Sequence, residues 1–555
     1  MGKERLIYLP LGGAGEIGMN AYVYGYGAPG KERLILVDLG VTFPDMDGSP
    51  GVDLIFPDMS WLIERADRLE AVFVTHAHED HVGALAQFWG ELRVPVHARA
   101  FTANIARRKL EERGYPDDTV TTASAWPEQI KAGPFVVRFL PVSHSIPESS
   151  ALVIDSPAGR VVHSGDFKLD PTPVVGEPFD PDLWAEVCEN GVQALICDST
   201  NVFTPHPGRS ELEVGPAIEK LVSKARGLVC ATTFASNVAR VKTLAEAGQR
   251  AGRSVVLLGR AMRRMIEAAV ETGVLTDFPK TVSPEDAGDI PRDNLMLLVT
   301  GSQGERRAAS AQLARSKYRG LELAEGDLFL FSSKTIPGNE RGVIRIINQL
   351  SEKGVDVVDD SSGLYHVSGH ANRPDLERLH DTVKPRMVIP MHGEHRHLRA
   401  HSNLARDRGY ASALAVNGTM LDLSGNTPKV AEYVETGRSY LDGSVRIGAL
   451  DGIVRDRIRL ALNGLITISI ILDEENEPLG EPWCELKGLP EMGSSAAPLV
   501  DVLEEDLDQF LRRANSKTLA DDDALENDLR RIARQTALEE IGRKPEVTVT
   551  ISRIQ

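Results

Sequence analysis

The chain has 555 residues, enough for several domains, and its hydrophobic (42%) and charged (26%) fractions are those of an ordinary globular protein. No apolar run approaches the roughly 18 residues needed to span a bilayer, so a membrane partner is not expected. The net charge of −18 argues against a protein that coats nucleic acid non-specifically, but a nuclease with a local basic channel remains compatible with it.

The first residues lead directly into a strand-like run, Leu6–Leu9, without the apolar core of a signal peptide. We therefore expect a cytoplasmic protein. The four cysteines form no C-x-x-C pair and are expected to be buried thiols rather than zinc ligands or disulfides. Any bound metal should then be held by histidine and carboxylate.

Up to about residue 200, short strand-like runs end in a histidine or an aspartate. The runs and the residues that follow them are Leu34–Val37 with Asp38, Ala71–Val74 with His76, Phe135–Leu140 with His144, Val161–Val162 with Asp166, and Ala194–Cys197 with Asp198. An α/β protein builds its site on the loops at one edge of its sheets, so these side chains are expected to meet there.

Between about residues 205 and 355, strands such as Leu228–Ala231 and Leu295–Val299 alternate with helical stretches, which predicts βαβ units and a parallel sheet. The earlier pattern then returns around His366 and His392, which indicates a domain inserted into a loop of the first one. The expected boundaries are 1–203 and 356–435 for the first domain, 204–355 for the insertion, 436–454 for a linker and 455–555 for a small α/β C-terminal domain.

The segment His76-Ala77-His78-Glu79-Asp80-His81 is the strongest candidate for a metal site. Alternate residues of an extended loop face the same way, so His76 and His78 can share one cation while Asp80 and His81 turn to a second. Imidazole and carboxylate ligands without thiolate suit zinc or manganese. A chance histidine-rich surface loop is improbable, because the whole chain has only 14 histidines.

Two cations about 3.5–4 Å apart can activate a shared water and neutralise a phosphoryl group. A carboxylate can bridge two cations where a neutral imidazole cannot, which makes Asp166 the expected bridging ligand. Asp38 is expected to orient a ligand histidine, although an ordinary turn aspartate would have the same spacing.

These residues resemble the metallo-β-lactamase superfamily, and three further motifs resemble its β-CASP branch: Asp198-Ser199-Thr200-Asn201, Ser368-Gly369-His370 and Pro390-Met391-His392-Gly393-Glu394. The stretches 11–18, 233–237, 300–305 and 336–340 resemble the bacterial ribonuclease J family. The resemblance runs from residue 6 to the end and is weakest over the last hundred residues. It implies an α/β fold: a metallo-β-lactamase αββα sandwich, an inserted β-CASP α/β domain and a small C-terminal α/β domain.

The resemblance also implies a set of site residues and two zinc ions per subunit, with manganese as the alternative. One ion would be held by His76, His78, His144 and Asp166, and the other by Asp80, His81, Asp166 and His392. His370 would act in catalysis with Asp80 and His81, either as proton donor to the leaving oxygen or as a phosphate contact. Substrate contacts would come from Ala235, Ser236, Asn237, His366, Val367, Ser368, Gly369 and His370. Asp198 would be a carboxylate that orients a site residue or stabilises the structure around it.

The implied activity is 5′-to-3′ exonucleolytic hydrolysis of single-stranded, 5′-monophosphorylated RNA, with some endonuclease action, in RNA maturation and decay. The resemblance further implies a homodimer or homotetramer, and leaves membership of a larger RNA-degrading assembly open. Three alternatives remain: a DNA-processing nuclease of the same branch, a small-molecule hydrolase of the same fold, and a non-catalytic RNA-binding scaffold. The 150-residue insertion weighs against the second, and the seven filled ligand positions weigh against the third.

Overall fold

The computed structural model describes residues 4–554 and divides them into two compact units. The first unit comprises residues 4–42 and 56–438, and the second comprises residues 43–55 and 439–554. Residues 1–3 and 555, at the outer ends of the predicted domains 1–203 and 455–555, lie outside the described residues. Within the described range, no helix combines the length and apolarity needed to cross a membrane.

The first 200 residues are rich in strands. The strands are β1 (Arg5–Gly12), β2 (Ala14–Gly15), β3 (Ala21–Gly27), β4 (Arg33–Val37), β5 (Leu54–Pro57), β6 (Leu69–Val74), β7 (Val96–Ala98), β8 (Val120–Thr122), β9 (Ile130–Ala132), β10 (Phe135–Pro141), β11 (Ser150–Ser156), β12 (Gly159–His163) and β13 (Ala194–Asp198). The helices are α1 (Ser60–Ile63), α2 (Glu79–Val82), α3 (Leu85–Leu92), α4 (Ala100–Glu111) and α5 (Pro181–Cys188). Several strands, β1 among them, are buried along nearly their whole length, because both faces of the sheet are covered.

The inserted segment alternates strands and helices, as its sequence predicts. Its elements are α6 (Gly215–Lys224), β14 (Val229–Thr232), α7 (Val238–Arg250), β15 (Ser254–Leu258), α8 (Arg260–Glu271), β16 (Thr281–Val282), β17 (Leu295–Val299), α9 (Ala309–Arg315), β18 (Leu328–Phe331), α10 (Glu340–Glu352) and β19 (Asp356–Val358). The strands form one sheet of order β16-β15-β17-β14-β18-β19 in which every pair is parallel. Its core contains Val256, Leu297 and Phe329, all buried.

The chain then returns to the first domain. The returning elements are α11 (Arg373–Val383), β20 (Met387–Met391), β21 (Gly393–Glu394), α12 (His395–Asp407), β22 (Ala411–Ser412), β23 (Thr419–Asp422) and β24 (Lys429–Tyr433). They add strands to both large sheets, whose orders are β24-β23-β1-β3-β4-β6-β7-β8 and β22-β20-β13-β12-β11-β10-β9.

The two large sheets share one core. Tyr24 and Phe73 from the first sheet pack with Phe139 and Ile154 from the second. Helices α5, α11 and α12 cover the outer face of the second sheet, and α4 packs on β7 and β8 of the first. This is the αββα sandwich implied by the sequence, with the inserted domain between β13 and α11.

The second unit contains a small α/β domain. Its elements are β25 (Arg438–Asp442), β26 (Val445–Gly448), α13 (Ile453–Asn463), β27 (Leu465–Leu472), β28 (Trp483–Lys487), α14 (Leu499–Arg513), α15 (Ser516–Leu519), α16 (Asp522–Ile541) and β29 (Glu546–Arg553). Alternate residues of β27, Ile466 and Ile468 among them, are buried against α14 and α16. The segment predicted as a linker includes the antiparallel pair β25–β26, and the Asp53 N–H donates to the Leu441 carbonyl at 2.8 Å.

Candidate metal centre

The predicted metal ligands lie just beyond strand ends of both sheets. His76 and His78 follow β6, while Asp80 and His81 lie in the short helix α2. His144 follows β10, Asp166 follows β12 and His392 follows β20. The turn that carries Asp80 packs directly on Gly40, where a Cβ atom would lie 1.6 Å from the Asp80 carbonyl oxygen. Only glycine fits at position 40, so the segment around Gly40 lies in direct contact with the turn that carries Asp80.

The seven residues form two groups that share one carboxylate. Potential ligand atoms of His76, His78, His144 and Asp166 lie within 4.8 Å of one another, and the same holds for Asp80, His81, Asp166 and His392. The structure therefore gathers both predicted ligand sets, with Asp166 common to them.

In the first group, three imidazole nitrogens converge. Nε2 of His76 and Nε2 of His144 lie 3.0 and 3.2 Å from Nδ1 of His78. The other ring nitrogens of His144 and His76 face away from this group and have polar partners. Nδ1 of His144 donates to the Gly369 carbonyl at 2.6 Å, and Nδ1 of His76 lies 3.0 Å from Thr75 Oγ1. An N–H that donates outward leaves the opposite ring nitrogen with a lone pair for a cation.

In the second group, His81 is oriented by Asp38. Nδ1 of His81 lies 2.8 Å from Asp38 Oδ2, and its Nε2 faces Asp166 Oδ2 at 3.2 Å and Asp80 Oδ2 at 3.6 Å. Asp38 is itself fixed by the backbone N–H and the hydroxyl of Thr75, at 2.7 and 2.9 Å. His392 completes the group, with Nδ1 3.3 Å from Asp166 Oδ1.

These residues fit divalent cations. Asp166 is 2% exposed, and its Oδ1 accepts no hydrogen bond in the described part of the chain, although an unsatisfied buried carboxylate oxygen is costly. Burial raises the pKa of Asp166, but the neighbouring His392 and His81 outweigh it and hold that pKa well below its usual range. Burial also lowers the pKa of His76 and His144 well below the usual value, which favours the neutral, metal-binding form. Nitrogen and oxygen donors without sulfur suit zinc or manganese.

The Ser368-Gly369-His370 loop is joined to this centre from two sides. Nδ1 of His370 lies 2.7 Å from Asp198 Oδ2, and Asn201 Nδ2 donates to Ser368 Oγ at 2.8 Å. A Cβ atom on Gly369 would lie 2.9 Å from Cε1 of His144, so the loop approaches a ligand ring closely. Burial lowers the pKa of His370, but the charge of Asp198 and its hydrogen bond outweigh it and raise that pKa to about 9.

The predicted contacts from the inserted domain lie at the carboxyl end of β14. Ala235 and Ser236 are half-buried, whereas Asn237 is buried and caps α7 by accepting the Arg240 N–H at 3.0 Å. Arg240 in turn donates to the Tyr365 carbonyl at 3.0 Å. The segment that begins at His366 is thus tied to the inserted domain through a buried guanidinium.

Sequence reasoning missed Asn20 and the pair Arg240–Glu211. Asn20 Nδ2 lies 3.0 Å from His81 Nε2, and its Oδ1 lies 2.8 Å from His392 Nδ1. Its only signal is a polar residue in an otherwise apolar stretch. His163, the last residue of β12, is buried and shares a 2.8 Å hydrogen bond with the Tyr24 hydroxyl.

Four family models match consecutive parts of the chain. They are described as "Metallo-beta-lactamase superfamily" (residues 15–217), "Ribonuclease J, beta-CASP domain" (226–350), "Zn-dependent metallo-hydrolase RNA specificity domain" (363–415) and "Ribonuclease J C-terminal domain" (452–554). The third spans both the Ser368–His370 loop and His392.

Relatives that align over nearly their whole length are named ribonuclease J. The chain is 41% identical to a ribonuclease J of Sinorhizobium meliloti, over 99% of this chain and 98% of that protein. It is 36% identical to a ribonuclease J of Mycolicibacterium smegmatis, over 98% and 96%. A crystal structure of a protein of unknown function from Enterococcus faecalis V583 shares the fold (TM-score 0.51, 17% identity, 75% of this chain and 100% of that chain).

Proposed function

The chain belongs to the ribonuclease J family, and we propose that it hydrolyses RNA phosphodiesters at the centre described above, as a 5′-to-3′ exonuclease that prefers a 5′-monophosphate and also cuts internally. One observation carries this proposal. The imidazole of His144, a candidate metal ligand, donates to the carbonyl of Gly369 at 2.6 Å. The loop suited to bind a phosphate is therefore bonded directly to the group that would hold a cation.

Two cations held by the seven ligands would supply Lewis-acid activation of water and neutralise phosphoryl charge. The protein's own residues provide the geometry. Asp198 holds Nδ1 of His370, so Nε2 of that ring is left to donate a proton to the leaving oxygen or to contact the phosphate. Asn20 and Asp38 fix the rings of His392 and His81.

The preference for a 5′-monophosphate is supported by the Ser368–His370 loop. Ser368 Oγ accepts hydrogen bonds from Asn201 Nδ2 and from the His370 N–H, so its own hydroxyl hydrogen is left to donate to a phosphate oxygen. A phosphate pocket that is closed one nucleotide from the metal centre would place the first phosphodiester bond of the RNA at the metals. The enzyme would then remove one nucleotide at a time from the 5′ end, as an exonuclease does.

Rates on three RNAs of one sequence, with 5′-monophosphate, 5′-triphosphate or 5′-hydroxyl ends, test this pocket. We expect the monophosphate to be degraded fastest, with mononucleotides as the first products. Equal rates on all three RNAs would show that no pocket selects the 5′-monophosphate. A DNA oligonucleotide of the same sequence, with deoxyuridine in place of uridine so that only the 2′-hydroxyl differs, tests the DNA alternative.

Several further assignments belong to the same proposal. We take zinc as the ion, with manganese as the alternative, because the donor set accepts both. We also propose the domain boundaries that the sequence predicts, which are 1–203, 204–355, 356–435 and 455–555. The cytoplasmic location is likewise a proposal from the sequence.

We also propose that the C-terminal domain mediates a homodimer or homotetramer. The open face of its sheet exposes Ile471 and Trp483, at 44% and 55%. Truncation after residue 450, followed by light scattering, tests the assignment, and an unchanged oligomer would refute it.

A further inference from the structure

The exposed side of α12 is basic, although the whole chain is acidic. His395, Arg399, Asn403 and Arg406 follow one another along the helix and line a cavity of about 370 Å³ together with Ser402 and Leu414. Among the residues that the structure describes, no carboxylate lines this cavity. Arg399 and Arg406 have no carboxylate within 4.0 Å in residues 4–554, so their charges are not neutralised by the protein itself.

An exposed aromatic ring lies at the start of the same helix. Phe203 is 55% exposed, and the guanidinium carbon of Arg396 lies 5.7 Å from the centre of its ring. The ring of His397, which is buried, lies 5.3 Å away and supports Phe203 from beneath. The ring of Phe203 is thus in contact with a guanidinium and a buried imidazole while more than half of the residue stays exposed.

This surface adjoins the candidate metal centre through both of its elements. α12 begins three residues after His392, and Phe203 follows Asn201 by two residues. Asn201 donates to Ser368 Oγ and to the His370 carbonyl. The basic side of α12 and the ring of Phe203 therefore lie on the same chain segments as His392 and Asn201.

We propose that this α12 face (Phe203, His395, Arg396, Arg399, Asn403 and Arg406) binds single-stranded RNA outside the reaction centre, with phosphates on Arg399 and Arg406 and a base stacked on Phe203. Arg396 is paired with Glu394 at 2.9 Å and contributes its contact with the Phe203 ring. The inference rests on the proposed function. Cations that follow the backbone, combined with an aromatic platform, bind single strands without sequence preference. RNA is favoured over an acidic protein segment because, in the described part of the chain, the cavity is lined by polar and basic residues apart from Leu414, whereas protein partners fill well-packed apolar pockets. Phe203 is not among the residues that line the cavity, and its exposed ring offers a face for stacking.

The length of the face predicts a dependence on substrate length. Arg396 and Arg406 are ten residues apart, which is about 15 Å along a helix. A trinucleotide held at the metal centre is too short to engage both ends of the face, whereas a 20-nucleotide RNA can. The contribution of the α12 face should therefore be absent for the short substrate.

The test compares KM and kcat for 5′-monophosphorylated RNAs of 3 and 20 nucleotides in the metal-loaded enzyme. For Arg399→Glu/Arg406→Glu we expect KM for the 20-mer to rise at least tenfold while KM for the 3-mer changes less than twofold. The salt dependence of 20-mer binding should become shallower by about 1.4 in log–log slope, since two phosphate contacts are lost. Phe203→Leu should raise KM for the 20-mer about fivefold, and Phe203→Tyr should not.

Arg226→Glu is the matched control, because Arg226 is exposed and precedes β14 at the end opposite Asn237. Equal effects on both RNA lengths, an effect of Arg226→Glu as large as that of the double variant, or unchanged KM for the 20-mer would each overturn the inference. If the wild type cleaved no RNA, the proposed function would fail instead. Fluorescence anisotropy with the 20-mer would then still decide the inference, since the double variant must bind at least tenfold more weakly.

Discussion

Nδ1 of His370 lies 2.7 Å from Oδ2 of Asp198, across 172 positions of the sequence. This contact joins the end of β13 to the loop that precedes α11, on either side of the inserted domain. Asp198 is also fixed, because its Oδ1 accepts the N–H and hydroxyl of Thr200 at 2.9 and 2.7 Å. The ring of His370 is thus held 5.0 Å from that of His144, a candidate metal ligand.

Asp198→Asn should lower kcat on 5′-monophosphorylated RNA about 10- to 100-fold, and His370→Ala about 100- to 10,000-fold, the range of a general acid. Metal content, measured by mass spectrometry, should stay that of the wild type in both. Asp180→Asn is the control, since Asp180 only caps α5 at the surface. A wild-type kcat in Asp198→Asn would show that the contact does not position His370 for the reaction.

Arg240→Ala should destabilise the protein by about 3–5 kcal/mol, because it leaves Glu211 buried without a partner. Arg240 is fully buried and binds both oxygens of Glu211, at 2.6 and 2.9 Å. Arg250→Ala, which breaks ion pairs with Glu219 and Glu246 in which Arg250 is 51% exposed, should cost about 1 kcal/mol or less. Urea unfolding measures both, and equal losses would contradict a structural role for the buried pair.

The free energy of unfolding should fall as the pH is lowered from about 6.5 towards 4, in part through His380 and His401. Burial lowers the pKa of His380 to about 2 and that of His401 to about 4, so the unfolded chain binds protons that the folded chain does not. Each contribution is complete above pH 6.5 and is lost as the pH falls towards the folded pKa.

His380→Asn should therefore reduce the slope of this free energy against pH by about 1.4 kcal/mol per pH unit between pH 4.5 and 6. The measurement is urea unfolding of metal-free protein, so that loss of metal at low pH does not contribute. His206→Gln is the control because His206 is exposed. An unchanged slope in His380→Asn would mean that this histidine does not stay neutral in the folded protein.

His392→Ala should reduce the bound metal from two ions per chain to one, because His392 belongs to only one of the two groups. Asp166→Asn should weaken both ions, since Asp166 belongs to each. Metal is counted by mass spectrometry after gel filtration, with His206→Ala as the control. Loss of both ions in His392→Ala, or of neither in Asp166→Asn, would contradict the shared carboxylate.

The family resemblance implied the sandwich, and the alternation of strands and helices predicted the parallel inserted sheet. The position of polar side chains after strands predicted that they meet, because such residues share one sheet edge. The sequence could not predict Asn20 or the pair Arg240–Glu211. Their partners are far apart in sequence and follow no periodicity, so only the packed fold brings them together. The pairing of β25 with β26 in the segment 436–454 was also not predicted, since β25 and β26 carry few buried side chains and so lack a clear strand pattern.

Cleavage of a 5′-monophosphorylated RNA by the wild type and by His78→Ala, with the product ends mapped, tests whether RNA is hydrolysed at this metal centre. The wild type should release 5′-mononucleotides from the 5′ end, a chelator should abolish this, and His78→Ala should be at least a thousandfold slower. Equal cleavage by the two proteins, or cleavage that survives complete removal of metal, would contradict a ribonuclease built on this metal centre.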